Sequence, residues 1–336
     1  MKRRKFSCTM EHDWEGLRFA TPERVAAFRA RRLSCSTLLE IGCGIGGQTI
    51  AFARTCDSVL AVDIDAAKVE FAKKNCERAG AENVQFFLSD GVSEEFASSV
   101  RGVDYVFCDP ARVPSEPKRA LNSLSPAPNT LLERYGERCS GIAIEAPPQL
   151  TPEGICLECE KEYLSLDGAL NRLTLYFGGL MECDESCVCL SESESKLCSD
   201  GKGNIERTYT LGRLCFEPDP ALLKARLLKR LACVLDEELR LFIWDEKRCL
   251  ITSDYMLCSP FFSRTFLVVA HLKGRDATAR ANRILRSAAN RVLIRGSVPP
   301  EDYWKVRNAL EKGICGKSVY HAFLRFDEVL LLKLIE

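Results

Sequence analysis

Short apolar runs alternating with amphipathic stretches pattern the first 150 residues. Thr37–Ile41 is apolar apart from Thr37 and Glu40 and ends in glycines at 42, 44, 46 and 47, and a helix-compatible stretch follows at 48–54. Further apolar runs at 58–62, Val84–Leu88, 103–108 and 139–145 are separated by helical patterns at 66–80, 94–101 and 129–137. Gly80 closes the first of these helices. Upstream, Thr21 and Pro22 suit an N-cap and a first turn, so a helix is expected over Glu23–Arg32, with Val25, Phe28 and Ala26 or Ala30 toward a core and Arg24, Arg29, Arg31 and Arg32 elsewhere. Five strands with helices between them predict a doubly wound α/β sheet with its site at the carboxyl ends of the strands.

From Ile155 the pattern changes to alternation. Antiparallel strands are expected at 156–165, 170–177 and 206–216, with a hairpin or loop at 183–203. A single helix is predicted over 221–235 behind Pro218 and Pro220. Strands follow at 239–244, 248–252 and 265–270, then helix 276–289, strand 291–295, helix 300–312, and strands Ser318–Arg325 and 328–334. This reads as an α+β module appended to the first sheet.

A strand, a glycine-rich turn and a helix N-terminus make a nucleotide-cradling unit. Gly42, Gly44 and Gly47 also fit the dinucleotide pattern, so the glycines alone do not choose a ligand. Glu40 bears on the choice. A carboxylate two residues before the first glycine would repel a pyrophosphate, and it suits a cationic end such as the amino group and sulfonium of S-adenosylmethionine. Asp63, twenty-one residues after Gly42, is placed to accept both ribose hydroxyls of either ligand. A dinucleotide site and a purely structural turn remain the alternatives.

The chain has 336 residues, 46% of them hydrophobic and 28% charged, as expected of a soluble protein with more than one domain. No apolar run reaches the ~20 residues of a membrane helix, and Met1-Lys2-Arg3-Arg4-Lys5 has no apolar stretch behind it. Eighteen cysteines without a signal sequence point to a reducing cytoplasm and to thiols used as small buried hydrophobes. Net charge is zero but unevenly spread. Residues 1–32 hold nine basic and four acidic side chains, 151–206 four and twelve, and 264–295 eight and one.

Asp109-Pro110-Ala111-Arg112 follows the fourth strand, where Asp-Pro turns the chain and offers acceptors to an exocyclic amine. Asp90 and Gly91 end the third strand on the same edge, where an adenine would lie. Cys156, Cys159, Cys183 and Cys187 approach a zinc-ligand spacing without glycine-bearing knuckles, so no metal is expected. His12, His271 and His321 stand alone. Arg280 and Arg283 share a helix face with Arg286 at its flank, suiting a phosphate backbone; pairing with the acidic 151–206 segment is the alternative.

Glu40-Ile41-Gly42-Cys43-Gly44-Ile45-Gly46-Gly47 followed by Ala61-Val62-Asp63-Ile64-Asp65 resembles class I S-adenosylmethionine methyltransferases. Thr21-Pro22-Glu23 resembles the trimethylguanosine synthase type. Leu17–Pro22, Asp109–Arg112, Phe216–Pro220, Ile251–Asp254 and Ser259–Phe261 resemble a prokaryotic branch of RNA methylases with ferredoxin-like and THUMP-like segments. The resemblance implies a Rossmann-like methyltransferase sheet with an appended α+β module. Its divisions would be a helical segment 1–32, a donor-binding domain 33–210, a ferredoxin-like segment 211–270 and a THUMP-like RNA-binding domain 271–336. It implies S-adenosylmethionine held by Glu40, Gly42, Gly44, Gly46, Asp63, Ile64, Asp90 and Gly91. Asp109, Pro110 and Arg112 would face a purine, guanine N2 favoured, in tRNA or rRNA. Guanine-N2 and adenine-N6 enzymes follow the first Pro with Pro and an aromatic, where Ala111 and Arg112 stand here. Asp-Pro-Ala-Arg is spelled closer to the uracil-C5 methylases, but their cysteine nucleophile has no counterpart in Glu145-Ala146-Pro147-Pro148-Gln149. A non-catalytic RNA binder, or a methyltransferase acting on protein or a small molecule, is the alternative.

Overall fold

The computed structural model describes residues 5–112, 121–201, 203–246, 248–296 and 298–335. The 113–128 loop read from sequence lies partly outside the described residues, as does the side chain of Arg112. The chain divides into two compact units, Met1–Asp200 and Gly201–Glu336.

In the first unit, helices α1 (Trp14–Phe19) and α2 (Glu23–Arg32) precede β1 (Thr37–Ile41), α3 (Gly47–Ala53), β2 (Ser58–Asp63), α4 (Ala66–Arg78), β3 (Val84–Leu88), α5 (Glu94–Ser99) and β4 (Tyr105–Cys108). A two-residue ladder joins β5 (Ala111–Arg112) to β6 (Leu124–Ser125), and α6 (Pro128–Tyr135) and β7 (Gly141–Ala146) follow. Then come β8 (Glu160–Leu166), β9 (Ala169–Gly178), β10 (Glu185–Leu190) and β11 (Glu194–Cys198). Side-chain caps set the helix starts: Asp65 accepts from Ala67 N at 2.8 Å, and Ser93 from Phe96 N at 3.2 Å.

The nine strands form one sheet in the order β11-β10-β8-β9-β7-β4-β1-β2-β3. The five strands expected to be parallel are parallel, and β9 then runs antiparallel to β7. The chain winds from β1 outward through β2 and β3 and returns to β4 on the other side of β1, so the crevice opens between β1 and β4. Leu38, Val59, Phe107, Ala143 and Tyr176 of this sheet pack with Ala26, Ala30, Leu33 and Phe52, and the Phe52 and Phe107 rings meet edge to face at 5.2 Å. The 156–165 strand starts later than its alternation suggests, because Pro152–Gly154 forms a 3-10 turn and pairing begins at Glu160. The 183–203 stretch is the β10–β11 hairpin.

The second unit contains β12 (Ile205–Thr208), β13 (Leu214–Pro218), α7 (Pro220–Lys224), α8 (Leu228–Leu235), β14 (Leu239–Asp245), β15 (Arg248–Ser253), β16 (Phe262–Lys273), α9 (Ala277–Leu285), β17 (Ala289–Gly296), α10 (Pro300–Glu311), β18 (Ser318–Arg325) and β19 (Glu328–Ile335). Two sequence expectations are corrected. The single 206–216 strand is two, β12 and β13, lying apart in the sheet with β14 and β15 between them. The single 221–235 helix is broken at Arg226, which takes a left-handed φ of 58° between α7 and α8. The segments 211–270 and 271–336 both contribute to one sheet, β12-β14-β15-β13-β16-β19-β18-β17, because β16 pairs with β19 along most of its length. Helices α9 and α10 cover one face through Ala277, Ala281, Leu285 and Leu310. Among the described residues no helix is long and apolar enough to cross a membrane.

Candidate active site

The registers Ile41 against Val62 and Ile41 against Cys108 bring three chain ends level at the carboxyl edge. Gly42 therefore sits beside Asp63 on one side and Asp109 on the other. The backbone takes positive φ at Gly42 (83°), Gly44 (54°) and Gly46 (82°), a conformation that any side chain would strain. Among the described residues a Cβ at Gly44 would meet nothing within 4 Å, and one at Gly42 would lie 3.5 Å from the Asp109 carbonyl oxygen. The loop thus presents bare backbone to the crevice. Gly46 differs: it is buried, and a Cβ there would lie 2.9 Å from Ala72 Cα, so it lets α4 pack against the loop.

Glu40 is 1% exposed; among the described residues its Oε2 makes no close hydrogen bond and no cation is ion-paired with it, and the Thr49 hydroxyl on α3 is the polar group that acts on it. Burial pushes its carboxyl up to about 8, and the nearby Asp109 and Asp63 charges add to the effect against the opposing pull of Thr49 and Arg29. Asp63 braces the loop: Oδ2 accepts from Gly44 N at 2.9 Å and Oδ1 from Asp65 N at 3.0 Å. Ile64 and Leu88 next to it are 75% and 59% exposed, large apolar side chains held open at the edge. Asp90 is exposed, with Oδ1 accepting from Val92 N at 3.0 Å. Gly91 is buried and its carbonyl accepts from the Tyr135 hydroxyl. A Cβ at Gly91 would lie 2.8 Å from Ile41 Cγ2, so glycine there permits close packing. Asp109 is exposed and Pro110 buried.

Beneath Asp109 lies a set of charged side chains not singled out from the sequence. Arg29 of α2, expected away from the core, is instead 2% exposed; it is ion-paired with buried Glu145 and donates to Gln48 Oε1 at 2.8 Å. Its guanidinium lies 4.7 Å from the Phe107 ring centroid. Arg172 of β9 approaches the same Glu145 with Nε 3.6 Å from Oε1, and its Nη2 donates to Thr21 Oγ1 at 3.4 Å. Two signals were available: Arg29 falls four residues after Val25 on the apolar face of its helix, and Glu145 ends an apolar run. The carboxylates Glu40, Asp63 and Asp109 thus gather around the glycine loop, with Arg29 the cation that acts on Glu40, an arrangement suited to a positively charged ligand.

Arg280, Arg283 and Arg286 lie on or at the end of α9 in the second unit. Arg283 and Arg286 are exposed, and Arg280 pairs with Asp276 of its own helix at 3.8 Å. In the first unit, Glu160, Glu162 and Glu182 of the acidic segment find cations in Arg32 and Lys196. Cys156 is exposed and Cys159 buried, and among the described residues no three His, Cys, Asp or Glu side chains gather as a metal-ligand set.

Residues 38–125 match the family model for a methyltransferase domain. A stretch of 99 residues is 32% identical to the 23S rRNA (uracil(1939)-C(5))-methyltransferase RlmD of Xylella fastidiosa, covering 29% of this chain and 21% of that protein. The protein of the same name from Stenotrophomonas maltophilia is 35% identical over 77 residues, or 22% of this chain and 17% of the relative. The chain therefore spans about a fifth of the length of these relatives. A solved structure of a candidate methyltransferase from Porphyromonas gingivalis W83 superposes over 96% of this chain and 83% of its own, with TM-score 0.76 and 18% identity. That likeness extends the shared fold to both units. A domain of this family takes its methyl group from S-adenosylmethionine, and the residues fit that donor: a buried, orphaned carboxylate oxygen for a cation, bare glycine backbone, and an Asp at the end of β2 beside exposed apolar side chains.

Proposed function

We propose that this S-adenosylmethionine-dependent methyltransferase acts on RNA, methylating the exocyclic amine of a purine, guanine N2 first, by direct in-line transfer. The observation that carries the reading is the placement of Asp109-Pro110 beside Gly42, so that acceptors on β4 face the donor loop across one crevice. Bound there, the donor supplies an electrophilic methyl group. Glu40 would hold its ammonium end, Asp63 the ribose hydroxyls, and Ile64 with Leu88 would line the adenine face. The Asp109 side chain and backbone carbonyl would accept the amine hydrogens, aiming the nitrogen lone pair at the methyl carbon and receiving the proton released on transfer. Pro110, buried beneath the turn, fixes that aim, and Arg112 is the candidate for stacking on the base.

The relatives named above act on uracil C5, a ring-attack chemistry for which a thiolate nucleophile is the natural agent. The cysteines nearest this edge are Cys43 and Cys108. Both are buried, and burial pushes both thiols well above their ordinary range. The loop at 113–120 contains no cysteine. This favours transfer to a nitrogen over covalent attack on a pyrimidine.

RNA as acceptor rests on the rRNA named for the relatives and on the exposed arginines of α9. In this reading the ferredoxin-like and THUMP-like segments of the second unit hold a structured tRNA or rRNA, and the protein works in the cytoplasm. Incubation with labelled donor and total cellular RNA should place label on RNA. Mass spectrometry of nucleosides from a deletion strain should then show one methylated purine missing. RNA retained without label would make the chain a binder, and label on protein or small molecules would overturn the RNA acceptor.

A further inference from the structure

The second sheet curls on itself. Trp244 on β14 and Phe323 on β18 have ring centroids 6.3 Å apart although four strands lie between them in the sheet order. The Arg325 guanidinium, also on β18, lies 4.8 Å from the Trp244 ring centroid. The enclosed face is apolar, built from Cys215, Phe242, Trp244, Leu250, Phe266 and Phe323.

Strand alternation then fixes which polar residues share that face. Glu217 stands two residues after Cys215, Arg248 two before Leu250, Arg264 two before Phe266, and His321 two before Phe323. Arg295 is the register partner of Phe323, and Glu217 that of Arg264. Five strands thus contribute to one cluster, with Arg264, Arg248 and Glu217 all close enough to Arg295 to act on its charge.

The pairing within the cluster is incomplete. Arg264 Nη1 reaches Glu217 Oε2 at 2.6 Å, and Arg248 Nη1 reaches Asp245 Oδ2 at 2.6 Å. Arg295 is half-buried and has no carboxylate partner among the described residues; its Nε donates to His321 Nδ1 at 3.3 Å. Because that nitrogen accepts, the buried His321 ring is neutral, and burial together with Arg295 and Arg264 pushes its pKa down to about 4. A half-buried guanidinium beside two others and a neutral imidazole is unfavourable on its own and becomes favourable once an anion is shared among the three. Guanidinium forks match the oxygens of a phosphate.

We propose that Arg248, Arg264 and Arg295 form a phosphate-binding site at the edge of the curled sheet, taking a backbone phosphodiester of RNA. The choice of RNA over free phosphate rests on the acceptor proposed above; the anion site itself does not.

Fluorescence anisotropy with bulk tRNA across a salt series tests it, using the full chain and its Arg295→Gln and Arg295→Lys variants. Arg295→Gln should weaken binding by about tenfold and reduce the log–log salt slope by about 0.7–0.9, the loss of one phosphate contact. Arg295→Lys should restore the slope with part of the affinity. S-adenosylmethionine affinity and melting temperature should be unchanged or, for the melt of Arg295→Gln, raised. Unchanged tRNA affinity and slope in Arg295→Gln would overturn the site and leave the proposed acceptor standing. Sodium tripolyphosphate raising the melting temperature of the unaltered chain but not of Arg295→Gln, with no tRNA bound by either, would keep the anion site and overturn its RNA assignment.

Discussion

Two sets of buried carboxylates in the first unit stand in opposite circumstances. Glu160 and Glu162 on β8 are 0% and 1% exposed, and both are ion-paired with Arg32 and Lys196. Tyr176 donates to Glu162 at 3.0 Å, Ser186 donates to Glu160, and the Arg32 guanidinium lies over the Tyr176 ring. Glu40 on β1 is as deeply buried, yet among the described residues no cation is ion-paired with it and two further carboxylates stand near it. A buried charge paired with opposite charge from the chain itself is architecture: it fastens α2 to the β8–β11 extension. A buried carboxyl with no cation of its own is a natural partner for a cationic ligand. Arg295 in the second unit is the cationic counterpart of Glu40.

The comparison is most strongly tested by opening the closed network. Arg32→Ala leaves Glu160 and Glu162 with a single shared cation and should cost about 3–5 kcal/mol in urea unfolding. Adding Glu160→Gln and Glu162→Gln to Arg32→Met should recover much of that loss. A cost under 1 kcal/mol for Arg32→Ala would mean that these charges do not fasten the helix.

Next in size is the loop brace. Asp63→Ala removes a charged acceptor from the proposed donor site and from Gly44 N, and should weaken S-adenosylmethionine by about 1.5–3 kcal/mol in calorimetric titration. NADH binding in place of the methyl donor would contradict the donor assignment. Reversing Arg280, Arg283 and Arg286 to Glu should lower RNA affinity about tenfold or more and flatten its salt slope, with the melting temperature held. A lower melting temperature at constant RNA affinity would make these arginines structural.

The smallest effect is on ligand-free stability. Glu40 has a folded pKa of about 8 against an ordinary value of 4.5, so the folded chain keeps a proton that the unfolded chain releases. Stability from this group is therefore greatest below the ordinary value and is lost as pH rises through about 8. Glu40→Gln should remove that slope between pH 5 and 8 in denaturant titrations.

The glycine loop and five parallel strands were legible because each is written in consecutive residues: an apolar run, glycines where φ is positive, an acidic residue where the next strand ends. Contacts between distant segments were not. Arg29 and Glu145 are 116 residues apart, and the helix pattern sets Arg29 aside with the other arginines of α2, away from the core, because a charge on an apolar face has no visible partner in the local sequence. The break at Arg226 is silent because arginine is a good helix former. Helical spacing drew the sequence reading to Arg280, Arg283 and Arg286, since i, i+3 neighbours are visible locally. Arg248 and Arg264 come within electrostatic reach of Arg295 only because the sheet curls, which no local pattern records.

The central claim is that Glu40 is left open for the cationic end of S-adenosylmethionine. Calorimetric titration of the donor at pH 6.5, 7.25 and 8, with the unaltered chain and Glu40→Gln, tests it most directly. Binding requires the carboxylate, while the donor's own amino group loses its proton near pH 8, so affinity should rise several-fold from pH 6.5 to about 8. In Glu40→Gln it should be weaker at pH 8 and no longer rise. Equal affinities for the two proteins across this range would contradict the account.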